Sequence, residues 1–140
     1  MKSPSELLHG LRGAASAAKV RALLEQGADP NFIPDGGQET AFLAIVGGLD
    51  DEGLAAMIAA GADVRAANRW NQRTALHALA GESLRDVTGM IASLIAAGAS
   101  VDARDSDGKT PLDRAMYGSP ATIRVLLDHG ARPDRHELLV

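Results

Sequence analysis

The chain has no cysteine. That removes disulfide staples, thiolate metal sites and a thiol nucleophile together. Aromatic residues are scarce as well, with one Trp, one Tyr and two Phe in 140 residues. The core is therefore expected from Leu, Ile, Val, Met and many Ala, and such small side chains let helices stack closely. Positive charge is not in excess: 14 Lys and Arg stand against 18 Asp and Glu, for a net charge of −4. The basic footprint that neutralises phosphates is missing, so no nucleic-acid partner is expected. Long hydrophobic runs are missing too. "GLAAMIAAGA" (53–62) falls far short of the roughly 20 residues that span a bilayer, so no membrane association is expected. "MKSPSELLHGL" carries no apolar stretch of a secretory leader. A cytoplasmic protein is expected. The preference for Arg, Ala and Gly over Lys and Asn is the usage of a GC-rich bacterial genome.

What is present is a repeated phrase. "LLEQGADPN" (23–31), "MIAAGADVR" (57–65), "LIAAGASVD" (94–102) and "LLDHGARPD" (126–134) place Gly-Ala at 27, 61, 98 and 130, spaced by 34, 37 and 32 residues. A second phrase interleaves: "TAFLAI" from Thr40, "TALHAL" from Thr74 and "TPLDRA" from Thr110, spaced by 34 and 36. Positions three, four and seven before each Gly are apolar in all four copies: Leu24, Leu23, Val20; Ile58, Met57, Leu54; Ile95, Leu94, Ile91; Leu127, Leu126, Ile123. That spacing predicts one apolar helix face, which the Gly ends by taking a left-handed conformation. Upstream, Thr40, Thr74 and Thr110 are placed to cap a preceding helix, with Pro111 suited to a first helical position. Each unit reads as helix, turn, helix and polar loop. One helix pair cannot bury both faces, so the pairs must stack.

These motifs resemble the ankyrin repeat. "TALH" (74–77) is similar to the family's Thr-Pro-Leu-His, with partial matches at "TPLD" (110–113) and "TAFL" (40–43). "GADV" (61–64) is similar to its Gly-Ala-Asp-Val ending, followed by "GASV", "GADP" and "GARP". The resemblance implies an all-α solenoid of about four stacked helix-turn-helix repeats joined by short finger loops. It forms a single domain with units at about 4–35, 36–68, 69–104 and 105–134, then a tail at 135–140. The first unit lacks the Thr motif but keeps His9 at the expected offset, and "SPSE" from Ser3 to Glu6 reads as a capping box. The tail residues Leu138, Leu139 and Val140 are expected to cover the last pair or to join a partner surface. The copies are not uniform. From the motif Thr to the Gly is 21, 24 and 20 residues, so the third unit carries about three extra, placed in "GESLRDVTG" (81–89), and the fourth has a short turn at "YGSP" (117–120).

Little here points to chemistry. Of His9, His77, His129 and His136, no two have the i,i+4 spacing of a helical zinc site, so no metal is expected. The resemblance implies that His9 and His77 bond neighbouring backbone, and His129 suits the end of a helix dipole. The carboxylates of "LDDEG" (49–53) suit a helix start. "GGQET" (36–40) and "DSDGKT" (105–110) lack the spacing of a phosphate loop and read as turns. Ser93, Ser100 and Ser119 have no nucleophile context. The chain is expected not to be an enzyme and to use no cofactor.

The resemblance implies instead that variable finger positions meet a protein partner. Aligned on the Thr motif, these are Arg69, Trp70, Asn71 and Arg73 on one finger, Gly36, Gly37 and Glu39 on the preceding one, and Ser106, Asp107 and Lys109 on the following one. Tyr117, at the end of the fourth unit's first helix, falls on the concave face. Trp, Tyr and Arg are enriched at binding hot spots. Arg65, Arg69 and Arg73 make one finger basic, while Asp35, Glu39, Asp102, Asp105 and Asp107 make its neighbours acidic, so a partner of mixed charge is expected. Trp70 either meets that partner or folds back over its own finger. Phe32 and Ile33 read as anchors of the first finger. A non-catalytic protein-binding module, monomeric, is the expected function. The alternatives are an inhibitor or immunity-type protein that neutralises a specific enzyme, and a self-associating structural protein.

Overall fold

Every described α-helix start except that at Thr88 has an N-cap side chain that accepts from a free N–H group of the first turn. The computed structural model describes residues 2–11 and 16–133. In it Ser3, Ser16, Thr40, Asp50, Thr74, Thr110 and Ser119 each accept from a backbone N–H three residues on. The elements are α1 (Pro4–His9), α2 (Ala17–Glu25), α3 (Ala41–Ile45) with a 3₁₀ turn at Val46–Gly48, α4 (Asp51–Ala59), α5 (Ala75–Ala80), α6 (Thr88–Ala96), α7 (Pro111–Ala115) and α8 (Pro120–Asp128). The odd-numbered helices form an inner row and the even-numbered ones an outer row, with α2 on α4, α4 on α6 and α6 on α8. Among the described residues, the only β pairing is an isolated antiparallel bridge between Ala67 and Thr74. The inner helices have only five or six residues, too short to persist alone, so stacking holds them.

The repeat glycines end the outer helices as expected: Gly27, Gly61, Gly98 and Gly130 have φ of 94°, 94°, 107° and 96°. The Ala after three of them, Ala28, Ala99 and Ala131, is buried. Of the apolar helix positions, those four and seven before each Gly carry most of the burial, as at Val20, Leu54, Met57, Ile91, Leu94 and Leu126. The position three before it is half-buried at Leu24, Ile58 and Ile95 and exposed at Leu127. The first three pack against the core, and among the described residues α8 is the last outer helix. The aliphatic core also has one exception. Phe42 is fully buried in α3, among Leu8, Ile45, Leu76 and Leu79 of the same core.

The first unit departs from the expectation for His9. Its N3 position is Glu6, which completes the capping box with Ser3. His9 therefore sits at the end of α1, one turn later than His77 sits in α5, and its buried Nε2 has no hydrogen-bond partner among the described residues. The tail at 135–140, with His136, Leu138, Leu139 and Val140, lies outside the described residues.

A strained position lies in the middle finger, just before α5. Gln72 has φ of 60°, the left-handed region that disfavours a side chain. Replacing Gln72 with Gly is expected to raise stability by about 0.5–1 kcal/mol, the relieved strain less the greater unfolded-state freedom of Gly. Urea unfolding reads this directly, and a lower midpoint for the variant would contradict it.

Candidate protein-binding surface

The fingers are tied edge to edge. The Arg69 N–H donates to the Gln38 carbonyl at 2.7 Å, and the Ser106 N–H donates to the Asn71 carbonyl at 2.8 Å. Within the middle finger, Asn68 holds both strands, donating to the Arg73 carbonyl and accepting from the Asn71 N–H through its side chain. Three consecutive loops thus form one ordered edge.

Trp70 stands at the tip of the middle finger and is 58% exposed, so the single Trp is not a core residue. Beside it Arg69 is exposed, with Nη1 at 3.4 Å from the Gly37 carbonyl. Asn71 is half-buried, and its Oδ1 accepts from the Arg73 N–H at 3.1 Å, which makes it part of the turn. Glu39 is half-buried, and Ser106, Asp107 and Lys109 are exposed. Phe32 and Ile33 are half-buried against the first finger. Tyr117, 86% exposed, follows α7. It lines a groove on the inner-helix side with Arg73, Ala78, Gly81, Leu84 and Arg114. The structure therefore splits the sequence-derived residues. Trp70, Arg69, Ser106 and Asp107 lie along the finger edge, whereas Arg73 and Tyr117 line the groove.

Asp105 is a correction to the reading of the fingers as acidic contacts. Its side chain is 1% exposed and is consumed inside the protein. One oxygen accepts from the Asp107 and Lys109 N–H groups, each at 3.0 Å, and the other accepts from Arg114 at 2.6 and 3.0 Å. The Arg73 Nε lies 3.5 Å from the same oxygen. Burial alone would push this carboxyl up. The Arg114 bonds, with those from the Lys109 and Asp107 N–H groups, outweigh it and hold Asp105 at about 2. Asp107 is drawn in as well, at 3.2 Å from Arg114.

His77 fastens the same finger from the other side. Its Nδ1 accepts from the Thr74 N–H at 3.2 Å, so Nε2 carries the proton and donates to the Lys109 carbonyl at 2.8 Å. Burial lowers its pKa, against the raising effects of that carbonyl and of the Asp105 charge. Lys109 is thus gripped at its N–H by Asp105 and at its carbonyl by His77. His129, just past α8, bonds the Val125 carbonyl at 2.8 Å. Among the described residues, no group of His, Asp and Glu is arranged to hold a metal ion.

Sequence reasoning missed Leu84, Arg85 and Arg114. The clue for Leu84 was a large apolar residue between Ser83 and Arg85 in the extra turn 81–87. The two arginines gave none, because Arg85 bonds carbonyls of the preceding unit and Arg114 bonds carboxylates seven and nine residues back, beyond any local spacing rule.

A family model described as ankyrin repeats, in three copies, matches residues 41–137. The match begins at the first residue of α3.

Proposed function

Because the chain belongs to the ankyrin-repeat family, whose repeats are generally protein–protein interaction modules, we propose that it is a non-catalytic module that binds one protein partner through its finger edge and inner-helix face. The observation that carries this is the contrast at the third and fourth units. The backbone there is pinned by bonds between fingers, while Trp70 and Tyr117 remain exposed. A rigid loop that presents an amphipathic aromatic loses little entropy on binding. We further read the described units as parts of one domain acting as a monomer in the cytoplasm. No described helix is long and apolar enough to cross a membrane.

Trp70→Ala is the direct test. It is expected to weaken the partner by about 2 kcal/mol, or roughly 30-fold in Kd, with an unchanged melting temperature. The partner is obtained by co-purification with the tagged chain from its source, and affinity is measured by calorimetry. Unchanged affinity with a lower melting temperature would make Trp70 a packing residue instead. Arg73 is a poor probe, since its loss also disturbs the Asp105 cluster.

A further inference from the structure

Leu84 is 95% exposed, the most of any large apolar side chain among the described residues. Its backbone is nevertheless firmly held. The Leu84 N–H donates to Glu82 Oε1 at 2.7 Å. Next to it, Arg85 reaches back to the preceding unit and donates to the carbonyls of Leu49 and Gly47, each at 2.8 Å. On the other side Gly118 presses against the same turn, so closely that a Cβ there would stand 2.6 Å from the Ala80 carbonyl oxygen. Pinned from both neighbours, the extra turn holds Leu84 out in water. Leu84 and Tyr117 line one groove, together with the small residues Ala78 and Gly81.

Bonds within the protein occupy the carboxylates around the groove more fully than they occupy the cations. Asp105 and Asp107 are held by Arg114, Asp113 accepts from the Thr110 N–H, and Glu82 accepts from the Leu84 N–H. Lys109 lies beside Tyr117 and Arg114, and its ammonium makes no hydrogen bond or ion pair among the described residues. The Arg73 guanidinium makes no hydrogen bond either, only the 3.5 Å approach to Asp105, which Arg114 already occupies. Each of these carboxylates is engaged, whereas among the described residues the Lys109 ammonium has no partner and Arg73 has one long ion pair.

We propose that this groove binds a short segment of a partner protein in which an aliphatic or aromatic side chain enters between Leu84 and Tyr117 and a neighbouring Asp or Glu faces Arg73 and Lys109. This rests on the protein-binding reading above and adds the chemistry of the partner. Apolar contact supplies the anchor, and the carboxylate meets cations that have donors to spare.

Selection of phage-displayed random 12-residue peptides on the full chain tests it. The enriched peptides are expected to pair an aliphatic or aromatic residue with Asp or Glu within three positions. Their binding is expected to fall at least tenfold on Leu84→Ser/Tyr117→Ser and on Lys109→Glu. All three side chains are exposed, so the variants are expected to keep the wild-type melting temperature, which is measured alongside. Failure to enrich peptides, enrichment of basic or uncharged peptides, or equal binding to the variants would overturn the proposal. A dimer of this chain that is lost in Leu84→Ser would overturn it too, by assigning the groove to a second copy. A partner protein that binds wild type and Leu84→Ser/Tyr117→Ser alike would leave the module reading standing while removing this one.

Discussion

Asp105→Ala is expected to cost about 4 kcal/mol of folding stability, the range for removing one member of a buried ion pair. The loss is large because one carboxylate serves several groups. Without it, Arg114 keeps only the exposed Asp107, the Asp107 and Lys109 N–H groups lose their acceptor, and Arg73 loses its only charge neighbour among the described residues. Urea unfolding of wild type and variant checks the value. A difference below about 1 kcal/mol, the size typical of an exposed pair, would show that the cluster is solvated and does not clamp the finger. The pH dependence carries the same sign. The carboxyl is held at about 2, below its ordinary 3.8, so its contribution is complete above 3.8 and is lost as pH falls through about 2.

His77→Ala is expected to cost about 3 kcal/mol, because it leaves the Thr74 N–H and the Lys109 carbonyl short of a buried partner and opens a cavity in α5. The titration of the wild type supplies a second readout. Burial depresses the His77 pKa below its ordinary 6.5, so the unfolded chain takes up a proton that the folded chain resists. Stability from this residue is complete above 6.5 and is lost as pH falls below it. The urea midpoint is therefore expected to drop between pH 7 and pH 5, and His77→Gln is expected to show a smaller drop. An equal drop in both would assign the effect to other groups. Hydrogen exchange at the Lys109 amide is expected to speed up in both Asp105→Ala and His77→Ala, since both release the same finger.

Local rules carry from sequence to structure where the partners are close in the chain. Thr74 and Thr110 cap the helices they precede, Gly61 and Gly98 end the helices they follow, and the extra residues of the third unit widen the turn at 81–87. These features depend on backbone groups within three or four positions. His9 misled because it precedes Gly27 by 18 residues, as Leu43 of the next unit precedes Gly61, while its helix begins at Pro4 and places it later in the helix. Asp105 misled because acidity is visible in a sequence and burial by Arg114, nine residues on, is not. The groove between Leu84 and Tyr117 was invisible for the same reason. It exists only once the third and fourth units stack and Arg85 fastens the long turn to the carbonyls of Gly47 and Leu49. Trp70 was legible as an oddity, a large apolar residue in a polar basic stretch, and its exposure answers where it stands.

Stapling and display are thus divided between neighbouring residues. Asp105, His77 and Asn71 look inward and fix the backbone, while Trp70, Leu84 and Tyr117 look outward from it. The most direct test of that division is a calorimetric titration of the co-purified partner into wild type and into Trp70→Ala/Leu84→Ser/Tyr117→Ser, with the melting temperature of each recorded. The account predicts a loss of affinity of at least about 100-fold, or roughly 2.7 kcal/mol, at a melting temperature within a few degrees of wild type. Wild-type affinity in the triple variant would contradict it, because the partner would then be bound somewhere other than the surface these residues form.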